Sequence, residues 1–133
     1  MNEKLKPESQ LAILIVEDDC DASDILVQII TSRFPHIITD LATSGEEGLA
    51  RFRQQRYQIV VTDIRMPGMD GIRMAEEIKT INPDVALIFM TGYHEQYDLT
   101  RLKALGIHEC IMKPVDLKKL LRAIEACIAQ IQQ

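Results

Sequence analysis

Five short apolar runs, each followed by a stretch with helical spacing, constrain this chain more than any other feature. The runs are Leu11–Val16, Ile37–Ala42, Ile59–Thr62, Val85–Met90 and the weaker Cys110–Met112. Short runs rich in Ile and Val, apolar on both faces, suit strands of a parallel sheet covered on both sides. The intervening stretches decide between strands and buried helix segments. Asp21–Arg33 places Ile25, Leu26, Ile29 and Ile30 on one stripe. Ser44 can cap a helix over 46–54, with Glu47 completing a capping box. Gly71–Ile81 carries Ile72, Ala75 and Ile78, and Pro83 stops it. Glu95–Leu105 carries Leu99, Leu102 and Leu105, with Gly106 as its C-terminal cap. Asp116 caps a last helix bearing Leu117, Leu120, Leu121, Ile124, Ile128 and Ile131. Alternation of this kind predicts an α/β fold, a parallel sheet with helices on both faces. The 133 residues suffice for one domain. Residues 1–10 read as a polar tail and 11–131 as that domain.

Charge narrows the partners. There are 15 basic and 20 acidic side chains, a formal net charge of −5. An acidic chain without a basic tract is poorly suited to nucleic acid or an anionic membrane. No apolar run approaches the ~20 residues of a membrane span. The opening MNEKLKPESQ lacks the apolar stretch of a secretory signal. Cys20, Cys110 and Cys127 show no paired metal-ligand spacing, and His36, His94 and His108 show none either. A reducing cytoplasm is the expected setting. The charge is uneven: five acids, Glu17, Asp18, Asp19, Asp21 and Asp24, fall within eight positions, and no basic residue lies between Lys6 and Arg33.

Ligands of open α/β sheets bind beyond the carboxyl ends of the strands, where the strand order reverses. Glu17 and Asp18 end the first predicted strand, Asp63 the third, Thr91 the fourth and Lys113 the fifth. Three carboxylates, a hydroxyl and an ammonium therefore converge on one edge. Each alone reads equally as a solvated strand-end residue; the set of five does not. Clustered carboxylates repel one another unless a cation is near, and oxygen ligands favour Mg²⁺ over zinc. A Lys and a Thr hydroxyl opposite them suit phosphoryl oxygens. The composite suits phosphoryl transfer, with one carboxylate as nucleophile.

These residues lie in ILIVEDD, VVTDIRMPGMDG, FMTGY and IMKP, in an order and spacing that resemble the receiver domain of two-component response regulators. The resemblance runs from Leu11 to Ile131. It implies a flavodoxin-like, doubly wound (βα)5 fold with a five-stranded parallel sheet in the order 2-1-3-4-5. It implies that Asp63 is the phosphoacceptor for a sensor histidine kinase or phosphotransfer protein. Mg²⁺ would be held by Glu17, Asp18, Asp63 and the backbone carbonyl of Arg65. Thr91, Gly92, Lys113 and Pro114 match the phosphoryl-binding and switch positions, Pro114 as a cis-proline aiming Lys113 inward. The domain would catalyse only its own modification and would not be an enzyme in the ordinary sense. The surface of the fourth helix, fifth strand and fifth helix is where the family meets an effector or a second copy; its basic residues Arg101, Lys103, Lys118, Lys119 and Arg122 read equally as solvation.

Other positions modulate this pattern. Asp19 reads as a helix cap or as part of the acidic site. Arg65 and Tyr93 flank the pocket mouth and are expected to hinder attacking water. Met66 and Met69 read as rim packing. Cys110 stands where the family usually has an aromatic ring that rotates inward on activation, so either the thiol packs in place or another group such as Tyr93 substitutes. Three other functions compete. One is a degenerate receiver that serves only as a docking module. Another is a haloacid-dehalogenase-type phosphatase using Asp19-Cys20-Asp21-Ala22-Ser23. The last is a flavin-binding module, whose phosphate the acidic first loop would repel.

Overall fold

The structure, a computed structural model, describes residues 10–92 and 94–132. Most of the expected polar tail, and Tyr93, lie outside the described residues. Strands and helices alternate strictly: β1 (Ala12–Val16), α1 (Cys20–Arg33), β2 (Ile38–Ala42), α2 (Gly45–Gln54), β3 (Ile59–Asp63), α3 (Gly71–Ile81), β4 (Ala86–Thr91), α4 (Leu99–Ala104), β5 (Glu109–Met112) and α5 (Leu117–Ile131). The five strands form one parallel sheet in the order β2-β1-β3-β4-β5. The fold class and strand order are those expected.

Side chains alternate across each strand, and this splits the core in two. Leu14, Val16, Val60, Leu87 and Phe89 pack with Leu49, Phe52, Ile72, Ile78 and Leu102 of α2, α3 and α4. Ile13, Ile15, Ile59, Val61, Ile88 and Met90 pack with Leu26, Ile30, Leu120 and Ile124 of α1 and α5. Every residue of β1 and β3 is buried. The expectation of runs buried on both faces holds for the inner strands and fails at the edges. Ile38 on β2 is 40% exposed and Met112 on β5 is 51% exposed. An edge strand has a neighbour on one side only, so its outer residues meet solvent.

The helices also differ from their predicted faces. Ile25 is 52% exposed; Ser23, Leu26 and Ile30 form the buried stripe of α1 instead. At ~100° per residue, Ile25 falls one step off that stripe. The fourth helix begins at Leu99, not Glu95, because Asp98 caps it by accepting from the Arg101 amide. Leu99 consequently sits in the first turn and is exposed. Ser44 caps α2 as expected, by accepting from the Glu47 amide. Glu47, however, reaches past the cap to the Thr43 amide at 2.7 Å and the Thr43 hydroxyl at 3.0 Å. Asp116 caps α5, and Gly106 follows α4 with φ +67°, a left-handed conformation suited to glycine. No described helix is long and apolar enough to cross a membrane.

Candidate functional site

The chain leaves β1 toward β2 on one side and crosses back to β3 on the other, so the strand order reverses between β1 and β3. Val16 pairs with Thr62, which puts Glu17 beside Asp63 one step further on. Thr91 pairs with Met112, and Lys113 follows directly. The Lys113 amide donates to the Thr91 carbonyl at 2.7 Å, and the Lys113–Pro114 peptide is cis. The structure thus brings Glu17, Asp18, Asp63, Thr91 and Lys113 to one sheet edge.

Asp63 and Glu17 are each 2% exposed, while Asp18 is exposed. Carboxylate oxygens of Glu17, Asp18 and Asp63 all lie within 4.8 Å of one another. Glu17 is fixed: its side chain accepts from the Asp19 amide at 3.0 Å, and its own amide donates to the Ala42 carbonyl. Lys113 Nζ lies 2.6 Å from Asp63 Oδ1 and 3.7 Å from Glu17 Oε1. Both oxygens of Asp63 are sealed from solvent, and apart from the Lys113 ammonium at Oδ1 neither has a hydrogen-bond donor among the described residues.

Burial and the Glu17 carboxylate push the Asp63 carboxyl above the usual range, while Lys113 opposes the rise. Burial alone would lower Lys113, but the hydrogen bond and charge of Asp63 carry it upward. The two tendencies meet across one short contact. An ammonium 2.6 Å from a carboxylate oxygen is ion-pair geometry, and we take the pair as charged at neutral pH. Two buried carboxylates still share a single ammonium. The Asp63 Oδ2, buried without a donor, and the all-oxygen donor set fit a hard divalent cation such as Mg²⁺.

Other expected positions take defined places. Asp19 caps α1, accepting from the Ala22 amide at 3.0 Å. Ser23 of the same string is buried and donates to the Cys20 carbonyl. The dehalogenase-like string is therefore the first turn of a helix. Arg65 is exposed, and its guanidinium donates to the Gln96 carbonyl at 3.2 Å, tying the loop after β3 to the loop after β4. Met66 is 8% exposed and belongs to the core, not to the rim. Cys110 is half-buried against the α2–α4 side of the core. Burial pushes its thiol up, with Lys119 opposing. Tyr97, unremarked in the sequence, packs on the same cluster. On the face formed by α4, β5 and α5, Arg101 pairs with Glu76 and Lys119 with Glu109. Leu99 and Met112 are exposed there.

Sequence reasoning also missed Glu95. Its carboxylate accepts from the Thr91 hydroxyl at 3.2 Å. Nothing marks it in the sequence, because it sits in a loop of irregular structure four residues past a strand end.

Comparison with known proteins identifies the family of the fold. The family model described as "Response regulator receiver domain" matches residues 13–125. The transcriptional regulatory protein ZraR of Escherichia coli K12 is 32% identical over 88% of this chain, which covers 26% of ZraR. RprY of Bacteroides fragilis is 27% identical over 94% of this chain and 52% of its own length. The chain thus spans about a quarter of ZraR and about half of RprY. Among solved structures, a receiver domain protein (CheY-like) from Methanospirillum hungatei superposes with a TM-score of 0.82 at 30% identity, covering 93% of this chain and 98% of that one. The N-terminal domain of a Wolinella succinogenes protein gives 0.83 at 33% identity, covering 92% and 99%. The chain belongs to the response regulator receiver domain family.

Proposed function

We propose that Asp63 accepts a phosphoryl group from the phosphohistidine of a sensor histidine kinase or a phosphotransfer protein. The observation that carries this reading is the Asp63 carboxylate. It is buried at the strand-order reversal, paired with Lys113 through Oδ1, without a donor at Oδ2 among the described residues, and beside Glu17 and Asp18. An Asp63 oxygen attacks phosphorus in line; the P–N bond breaks and the imidazole leaves with its electron pair and takes up a proton. Lys113 neutralises charge growing on the phosphoryl oxygens, and the Thr91 hydroxyl donates to one of them. Glu17, Asp18, Asp63 and the Arg65 carbonyl would hold Mg²⁺, which supplies further neutralisation when bound.

Gly92, with no side chain, adds no bulk beside Thr91 where the phosphoryl group would sit. Pro114 and Asp19 act through position, one behind Lys113 and the other at the head of α1. Phosphorylation then biases a two-state arrangement of the loops and of β5. The bias is read by an effector or a second copy at the α4–β5–α5 face. The domain works in the cytoplasm, without nucleic acid or membrane contact of its own.

The test is incubation with Mg²⁺ and acetyl phosphate, read by intact mass. We expect a single phosphate-sized adduct that Asp63→Asn abolishes. No adduct, or one that persists in Asp63→Asn, overturns the reading. A docking-only receiver predicts no adduct, and a phosphatase predicts turnover of a small phosphomonoester.

A further inference from the structure

The Thr91 hydroxyl has a single proton to donate. In this structure that proton serves the chain itself. Oγ1 lies 3.2 Å from Glu95 Oε2, and the only other acceptor within range among the described residues is the Gly92 carbonyl at 3.4 Å. Glu95 reaches Thr91 because the loop folds back. The Glu95 amide donates to the Gly92 carbonyl at 3.2 Å, tying the two residues together. The Glu95 side chain lies against the Cα of Gly92. A Cβ at position 92 would meet Glu95 Oε1 at 3.1 Å, Cγ at 3.2 Å and Cδ at 3.3 Å. That is tighter than ordinary contact, so glycine lets this carboxylate sit where it does.

We infer that Glu95 is a positioning residue that latches Thr91 in the unphosphorylated protein and competes with the incoming phosphoryl group for the Thr91 hydroxyl. The inference rests on the phosphoacceptor reading above. A hydroxyl with one proton cannot donate to the Glu95 carboxylate and to a phosphoryl oxygen at once, so phosphorylation must break the Thr91–Glu95 bond. The glutamate is also a fixed anion beside the route of a dianionic donor. Both effects slow phosphorylation, and the bond also holds Thr91 in its resting position. Glu95 touches neither Asp63 nor the transferred atoms, so its influence runs through Thr91.

The test uses the full chain with Glu95→Gln, which keeps an acceptor oxygen but removes the charge, and Glu95→Ala, which removes both. The residue is half-exposed in a loop, so neither variant disturbs the core. With acetyl phosphate and Mg²⁺, the initial rate of Asp63 phosphorylation should rise about fivefold in Glu95→Ala and less in Glu95→Gln. In a Thr91→Ala background the further substitution Glu95→Ala should lose most of that gain, a coupling that a merely structural loop residue would not show. Without any phosphoryl donor, the Thr91 amide and methyl NMR signals should move in Glu95→Ala while those of Ile13 and Ile15 stay in place. A normal adduct at equal rates in all three proteins, or unmoved Thr91 signals, overturns the latch alone. No adduct on the unmutated chain overturns the phosphoacceptor reading, and the latch with it.

Discussion

Lys113 Nζ stands 2.6 Å from Asp63 Oδ1 and 3.7 Å from Glu17 Oε1, so one ammonium serves two carboxylates that are themselves sealed from water. Replacing Lys113 with Met leaves that pair uncompensated. The ammonium is one-third exposed, so the loss should fall below that of a wholly buried pair. We expect about 2 kcal/mol of destabilisation in metal-free buffer. Asp63→Asn removes one of the two like charges and should leave stability unchanged or higher. Urea unfolding of the two variants reads both effects, and a Lys113→Met protein as stable as the parent would refute the account.

A divalent cation should supply what the single ammonium does not. With oxygens of Glu17, Asp18 and Asp63 within 4.8 Å of one another, Mg²⁺ should raise the melting temperature, and EDTA should reverse the rise. At a hundred times its dissociation constant a ligand adds about 2.7 kcal/mol. Asp18 is exposed, so Asp18→Asn should fold normally yet show a much smaller Mg²⁺ response. An undiminished response would place the cation elsewhere.

The inner strands were legible because β1, β3 and β4 are buried on both faces and their runs say so. So were the strand-end acids, Thr91 and Lys113, since parallel connectivity puts every carboxyl end on one edge. Edge strands carry a weaker signal: β2 contains Thr39 and Asp40, whose exposure depends on which strand has no outer neighbour. Ile25 misled because it stands next to Leu26, both fit the same helical stripe nearly equally well, and packing decides between them. Glu95 was illegible for a different reason. Its contact with Thr91 depends on a backbone bond from Glu95 to Gly92 outside any regular element, and no periodicity reports such a bond.

The three cysteines should separate by reactivity. Cys20 is exposed, Cys110 half-buried and Cys127 buried. Burial pushes the Cys110 thiol up and raises Cys127 to about 11. The thiolate is the reactive form, so at pH 8 iodoacetamide should modify Cys20 first and Cys127 only on unfolding. Peptide mass mapping against time gives the order. Early labelling of Cys127 would contradict its packing against the α1–α5 side of the sheet.

Tyr57 ties the bottom of the sheet to the loop after α2. Its ring is 1% exposed, its hydroxyl donates to Asp40 Oδ2 at 2.6 Å, and Gln55 Nε2 donates to Asp40 Oδ2 at 2.7 Å and to the phenol oxygen at 2.8 Å. Burial, then the hydrogen bond and charge of Asp40, raise the phenol to about 12. The folded chain therefore holds this proton more tightly than the unfolded chain, whose phenol titrates near ~10. The stability linked to it is whole below pH ~10 and is lost as pH rises toward ~12. Tyr57→Phe keeps the ring and leaves Gln55 paired with Asp40, so at pH 8 it should cost about 1 kcal/mol. Above pH ~10 the gap between parent and variant should narrow, because only the parent has this proton to lose. Urea midpoints for both proteins at pH 8 and 11 measure the gap, and a difference that stays constant or widens would show that Tyr57 is not held by Asp40.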